Sequence, residues 1–88
     1  MKKIYALQDK IDDSLSSHFI GGENVSDLAT LRSVRAQFKD HYAVNDLTLV
    51  CVGDIDENGI VIGYDYVNKI GELCPNAESV GYKRDDNV

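Results

Sequence analysis

Residues 54 to 65 hold the densest group of side chains able to do chemistry. Asp54, Asp56 and Asn58 alternate, Gly59 follows, and Asp65 stands at the twelfth position counted from Asp54. A calcium loop of the helix–loop–helix kind takes oxygen ligands at positions 1, 3, 5, 7, 9 and 12 and a glycine at 6. The first half of that pattern is present. The second half departs from it, because Ile62 occupies a position where a polar group or water usually helps and Asp65 replaces a bidentate Glu. Such loops also join two helices, whereas the turn here joins two strand-like runs, Leu47–Val52 and Ile60–Tyr64. Asp54, Asp56, Asn58 and Asp65 therefore define an alternative reading, a divalent-metal (Ca2+) module. The leading reading needs no cofactor, and there Asn58-Gly59 is the turn of a β-hairpin in which both residues take positive φ.

A second set is basic. Arg32, Arg35 and Lys39 recur at i, i+3, i+7 and hold three of the nine Lys and Arg residues. On a helix they form one stripe, which can either lay its stems over apolar surface with the heads in water or contact phosphates or a partner protein. These three are the candidate nucleic-acid or partner-binding residues.

Catalytic machinery is not legible. His18 and His41 are the only histidines, and neither lies near a Ser or Cys in a nucleophile motif. Gly21-Gly22 lacks the further Gly or Lys of a phosphate loop. Cys51 and Cys74 are far apart without a Cys-x-x-Cys spacing, which reads as two reduced thiols. The expectation is a protein that is not an enzyme.

The elements that position these residues follow from periodicity. Lys3–Gln8 suggests a strand with Ile4 and Ala6 on one side and Tyr5 and Leu7 on the other. Asp9–Ser17 is polar and reads as a loop, with Phe19-Ile20 as a short apolar anchor. Asn24 or Ser26 caps a helix over Ser26–Tyr42, with Asp27 in its first turn. Leu28, Leu31, Phe38 and Tyr42, with Val34 beside them, give it an apolar stripe. Leu47–Val52 reads as a buried central strand, and Ile60–Tyr64 as its hairpin partner. Beyond Gly63 the pattern fits either a strand or a helical turn, and Tyr64 and Tyr66 share one face if it is extended. On a sheet, such exposed aromatics either stack on unpaired bases or pack at the edge of a small core. Pro75-Asn76 breaks the chain, and residues 83–88 form a polar tail.

The whole chain sets the bounds. Its 88 residues with 43% apolar content suffice for one small core and exceed what a disordered chain carries. The expected fold is a single α+β domain over residues 1–82, ordered strand–helix–strand–strand. One helix packs on a small antiparallel sheet, and both hairpin strands pair with the first strand. A net charge of -6 argues against a default nucleic-acid binder and leaves a local patch or a protein partner as the route to DNA. A further alternative is an acidic inhibitor that mimics DNA. No apolar run approaches the roughly 20 residues of a membrane span, and residues 1–20 lack a signal-peptide pattern, so a cytoplasmic location is expected. Exposed edge strands in so small a sheet favour a homodimer.

The order of features resembles a known family. The chain opens Lys2-Lys3-Ile4-Tyr5-Ala6-Leu7-Gln8-Asp9, continues through Phe19-Ile20, and follows with a helix bearing Ala29, Arg32 and Phe38. Asp46-Leu47 then leads into Val50-Cys51-Val52-Gly53-Asp54-Ile55-Asp56 and a turn ending at Gly59. Over residues 2–62 this resembles the small nonstructural protein of gokushovirus-type microviruses, bacteriophages with single-stranded DNA. Ile55 stands where that family usually has an aromatic, and little matches past Gly63. The resemblance implies a non-enzymatic accessory protein in the host bacterial cytoplasm. It would act in single-stranded DNA replication or packaging, with phage or host replication and packaging proteins as partners and single-stranded DNA as a weak one.

Overall fold

The computed structural model describes residues 1–74, so Pro75-Asn76, the expected domain end at 82 and the tail 83–88 lie outside the described residues. Among the described residues there are four strands and one helix: β1 Lys2–Asp9, β2 Leu15–Ile20, α1 Asp27–Phe38, β3 Leu47–Ile55 and β4 Val61–Glu72, with a short 3-10 turn at Val44–Asp46. The strands form one antiparallel sheet in the order β2-β1-β3-β4. The α+β fold with a helix on a small antiparallel sheet therefore holds, but the order is strand–strand–helix–strand–strand.

The added strand is β2, where a loop and an anchor were expected. Its sequence, Leu-Ser-Ser-His-Phe-Ile, has weak strand character, and its pairing with β1 decides the outcome. Phe19 sits opposite Tyr5 and Ile20 opposite Ile4, and the Tyr5 and Phe19 rings stack with centroids 5.4 Å apart. Asp12-Asp13 serves the β1–β2 turn. The Asp9 and Asp12 carboxylates accept from the Ile11 and Ser14 amides at 2.8 and 3.0 Å, and Asp13 takes a φ of 63°. Short Asx side chains tolerate that region and hold turns by such bonds.

β3 fills the central position that its apolar run predicts. Leu47, Leu49, Val50 and Cys51 are buried, as is Thr48. Of the two hairpin strands only β3 pairs with β1, and β4 lies on the outer side of β3. In the β3–β4 turn Gly59 alone has positive φ, 81°, so Asn58 does not adopt the expected left-handed conformation. The Asp56 carboxylate folds the turn instead, accepting from the amides of Asn58 at 2.8 Å and Ile60 at 2.9 Å. The ambiguous stretch after Gly63 is strand through Glu72.

The helix begins where the capping residue places it, the Ser26 hydroxyl accepting from the Ala29 amide at 3.1 Å. It ends at Phe38, short of Tyr42. Its inner face is Asp27, Thr30, Leu31, Val34 and Phe38, at i, i+3, i+4, i+7, i+11. Thr30, Leu31 and Val34 are buried and Phe38 packs against the core, whereas Leu28 is 74% and Tyr42 95% exposed. The expected stripe differs from this face because Leu28 sits about a quarter of a turn off the direction midway between Leu31 and Val34. The core is Tyr5, Leu7, Leu31, Val34, Leu47, Leu49, Cys51 and Leu73. Ala6 and Val50, on the opposite sheet face by strand alternation, are also fully buried. Both cysteines are free thiols, Cys51 buried and Cys74 half-buried.

Candidate functional site

The direction of the helix is set at both ends. At its start Asp27 accepts from Tyr5 Oη at 2.7 Å and from Lys3 Nζ at 3.0 and 3.1 Å. At its end Arg35 Nε donates to the Glu72 carbonyl at 2.9 Å. Lys3 is opposite Asp54 in register, which pairs with Ile62, and Glu72 closes β4 at the other end. The helix thus runs alongside β4 in the same sense. Its outer flank, Leu28, Arg32, Arg35 and Lys39 at i, i+4, i+7, i+11, lies on the β4 side.

This placement divides the three basic candidates. Arg35 is half-buried and spends a guanidinium N–H on the sheet backbone, so it contributes to holding the helix down. Arg32 and Lys39 are exposed, and among the described residues neither makes an ion pair. The continuous three-residue basic face is therefore two solvent-facing cations with a tethered arginine between them.

On the same sheet face β4 carries a tyrosine pair. Cys51 is opposite Asn68 and Gly53 is opposite Gly63, so the single residue Val52 is matched by residues 64–67, a wide bulge in β4. Bulges re-aim side chains and recur near functional sites. Here Tyr64 turns to donate its hydroxyl to Asp54 at 2.7 Å. That bond to a carboxylate and partial burial push the Tyr64 phenol well above its ordinary value. The Tyr66 ring lies parallel to Tyr64, with centroids 5.0 Å apart and planes at 5°. Tyr64 packs against the core and Tyr66 is 59% exposed. The two share a face, as an extended backbone requires.

The acidic candidates are distributed differently. Asp54 is taken by Tyr64, Asp56 holds the turn through one oxygen, Asn58 is exposed at the turn, and Asp65 is exposed within the bulge. No three His, Cys, Asp or Glu side chains among the described residues converge as metal ligands. The turn joins two strands, so the helical flanks of a calcium loop are replaced by a hairpin. His18 is exposed on β2, and His41 stacks on Tyr42 at 4.6 Å while its Nδ1 accepts from the Ala43 amide at 3.1 Å.

The Tyr5–Asp27–Lys3 cluster is not legible in the sequence. Asp27 is recognisable there only as an acid in the first helical turn, and its partners lie 22 and 24 residues away. The Tyr5 and Lys3 bonds hold the Asp27 carboxyl below its usual value, while burial and the same bond push the Tyr5 phenol up. Tightly bonded, this cluster fixes the helix on the sheet.

No helix of the described residues is long and apolar enough to cross a membrane. No family model, curated protein or solved structure matches the chain.

Proposed function

We propose that this is a non-enzymatic accessory protein of a single-stranded DNA phage. It acts in replication or packaging through contacts with phage or host proteins of that process and through weak contact with single-stranded DNA. The observation that carries the DNA contact is the β4-side helix flank, where Arg32 and Lys39 face solvent without an acidic partner among the described residues. In a chain of net charge -6, cations left unneutralised are available to a polyanion or an acidic partner surface. A two-cation patch supports weak binding that falls steeply with salt, since each phosphate contact to a single strand contributes about -0.7 to the slope of log K against log salt. The resemblance over residues 2–62 supports the same process.

Fluorescence anisotropy of a labelled single-stranded oligonucleotide, at low and near-physiological salt, tests the reading. The wild type should bind at low salt and weaken with salt. Replacing Arg32 and Lys39 together by Gln should weaken binding and reduce the slope by about 1.4, two contacts' worth, with an unchanged melting temperature. Failure of the wild type to bind at low salt, or an unchanged slope in the double variant, would overturn the DNA contact.

A further inference from the structure

We infer that Tyr66 is a base-stacking site, extending a stack begun by Tyr64, for unpaired bases of a single-stranded nucleic acid whose phosphates follow the Arg32 and Lys39 flank. The inference rests on the proposed DNA contact and names where the bases go. Three observations meet here. First, the ring pair is already assembled: Tyr64 is anchored to Asp54 by a 2.7 Å bond and packed against the core, and Tyr66 lies parallel to it at 5.0 Å. A ring held in this way loses little freedom when a ligand stacks on it. Second, one side of Tyr66 is covered by Tyr64, yet the residue is 59% exposed, which leaves aromatic surface open to solvent. The next residue of β4 on this face is Asn68, opposite Cys51 and exposed, whose amide can both donate to and accept from a base edge. Third, the helix runs in the same sense as β4 and its basic flank is tied to that strand through Arg35, so the cations and the tyrosines belong to the same side of the helix.

A ligand matching these features carries flat apolar faces at intervals and a negative charge beside each. Single-stranded nucleic acid has that chemistry; a duplex hides its base faces in its own stack. The local charges agree. Of the acids on this face, Asp54 is occupied by Tyr64 and Asp27 by Lys3 and Tyr5, while Asp65 falls on the opposite side of the strand from Tyr64 and Tyr66.

The test uses the full chain and a labelled oligothymidylate of about 20 nucleotides, beside an abasic oligonucleotide of equal length. Tyr66→Ala should weaken oligothymidylate binding about 5- to 150-fold, the range for losing one base stack, and leave the salt slope unchanged. Tyr66→Phe, which keeps the ring, should bind within about 3-fold of wild type, and the abasic strand should not distinguish wild type from Tyr66→Ala. The inference is overturned if Tyr66→Ala binds like wild type, if Tyr66→Phe loses as much as Tyr66→Ala, or if the abasic strand shows the same loss. These results leave the phosphate contact standing whenever the Arg32 and Lys39 variant still loses slope. A wild type that binds neither strand removes both.

Discussion

Replacing Asp27 by Ala should be among the most damaging single changes in this chain. The residue joins three effects. Its Oδ1 accepts the Tyr5 hydroxyl at 2.7 Å, and Tyr5 is only 1% exposed, so truncation strands a buried phenol without its partner. A hydrogen bond to a charged group of this kind contributes about 1.5–3 kcal/mol. The Lys3 ion pair contributes less, about 0.2–1 kcal/mol, because the two side chains are 45% and 31% exposed and water screens them. A carboxylate in the first helical turn adds about 0.3–1 kcal/mol through the macrodipole. These effects overlap, so the expected loss is about 2–3 kcal/mol, a large share of what so small a domain can hold. Urea unfolding followed by circular dichroism gives the value directly, and the melting temperature should fall by roughly 8–24 °C. Tyr5→Phe combined with Asp27→Ala should cost clearly less than the sum of the singles, with a coupling of at least about 1 kcal/mol. Because folding lowers the Asp27 carboxyl below its unfolded value, its stabilisation is present above that unfolded value, near pH 4. It is lost as pH falls through the folded-state value. Asp27→Ala should therefore flatten the acid limb of the stability profile. A loss below about 0.5 kcal/mol, or additive singles, would refute the assignment of Asp27 as the pin between helix and sheet.

The hairpin and its tyrosine give further expected outcomes. Asp56→Ala removes both carboxylate bonds that fold the β3–β4 turn, and Gly59→Ala forces a side chain into φ 81°; each should cost about 1–2 kcal/mol in urea unfolding. Absorbance titration at 295 nm should show a Tyr64 phenol ionising above the ordinary tyrosine value, and Asp54→Asn should bring that phase back down. Since folding raises this pKa, its stabilisation is complete below the unfolded value near pH 10 and disappears as pH rises through the folded-state value.

The legible parts of the fold were those fixed by local pattern. The apolar run Leu47–Val52 reads as a buried strand, Asn24 and Ser26 offer caps of which Ser26 is the one used, and Asn58-Gly59 marks a reversal. β2 was not legible, because Ser16, Ser17 and His18 have no strand pattern of their own and Leu15–Ile20 becomes a strand by pairing with β1. The helix face departs from the apolar spacing at Leu28 and Tyr42 for a related reason. Apolar spacing alone admitted more than one face, and contact with Tyr5, Leu49 and Gly71 on the sheet selects the one carrying Leu31 and Val34.

The candidate site divides along the same line. The sequence by itself determined that Arg32, Arg35 and Lys39 share a helix flank and that extended Tyr64 and Tyr66 share a strand face, because each spacing follows from the local repeat of a helix or a strand. Tertiary structure alone decided that Arg35 is tethered to Glu72 while Arg32 and Lys39 face solvent. It also decided that Asp54 orients Tyr64 and that the basic flank lies on the β4 side of the helix. Those facts depend on contacts between residues 10 to 37 positions apart, set by sheet order and helix direction, which no local repeat encodes.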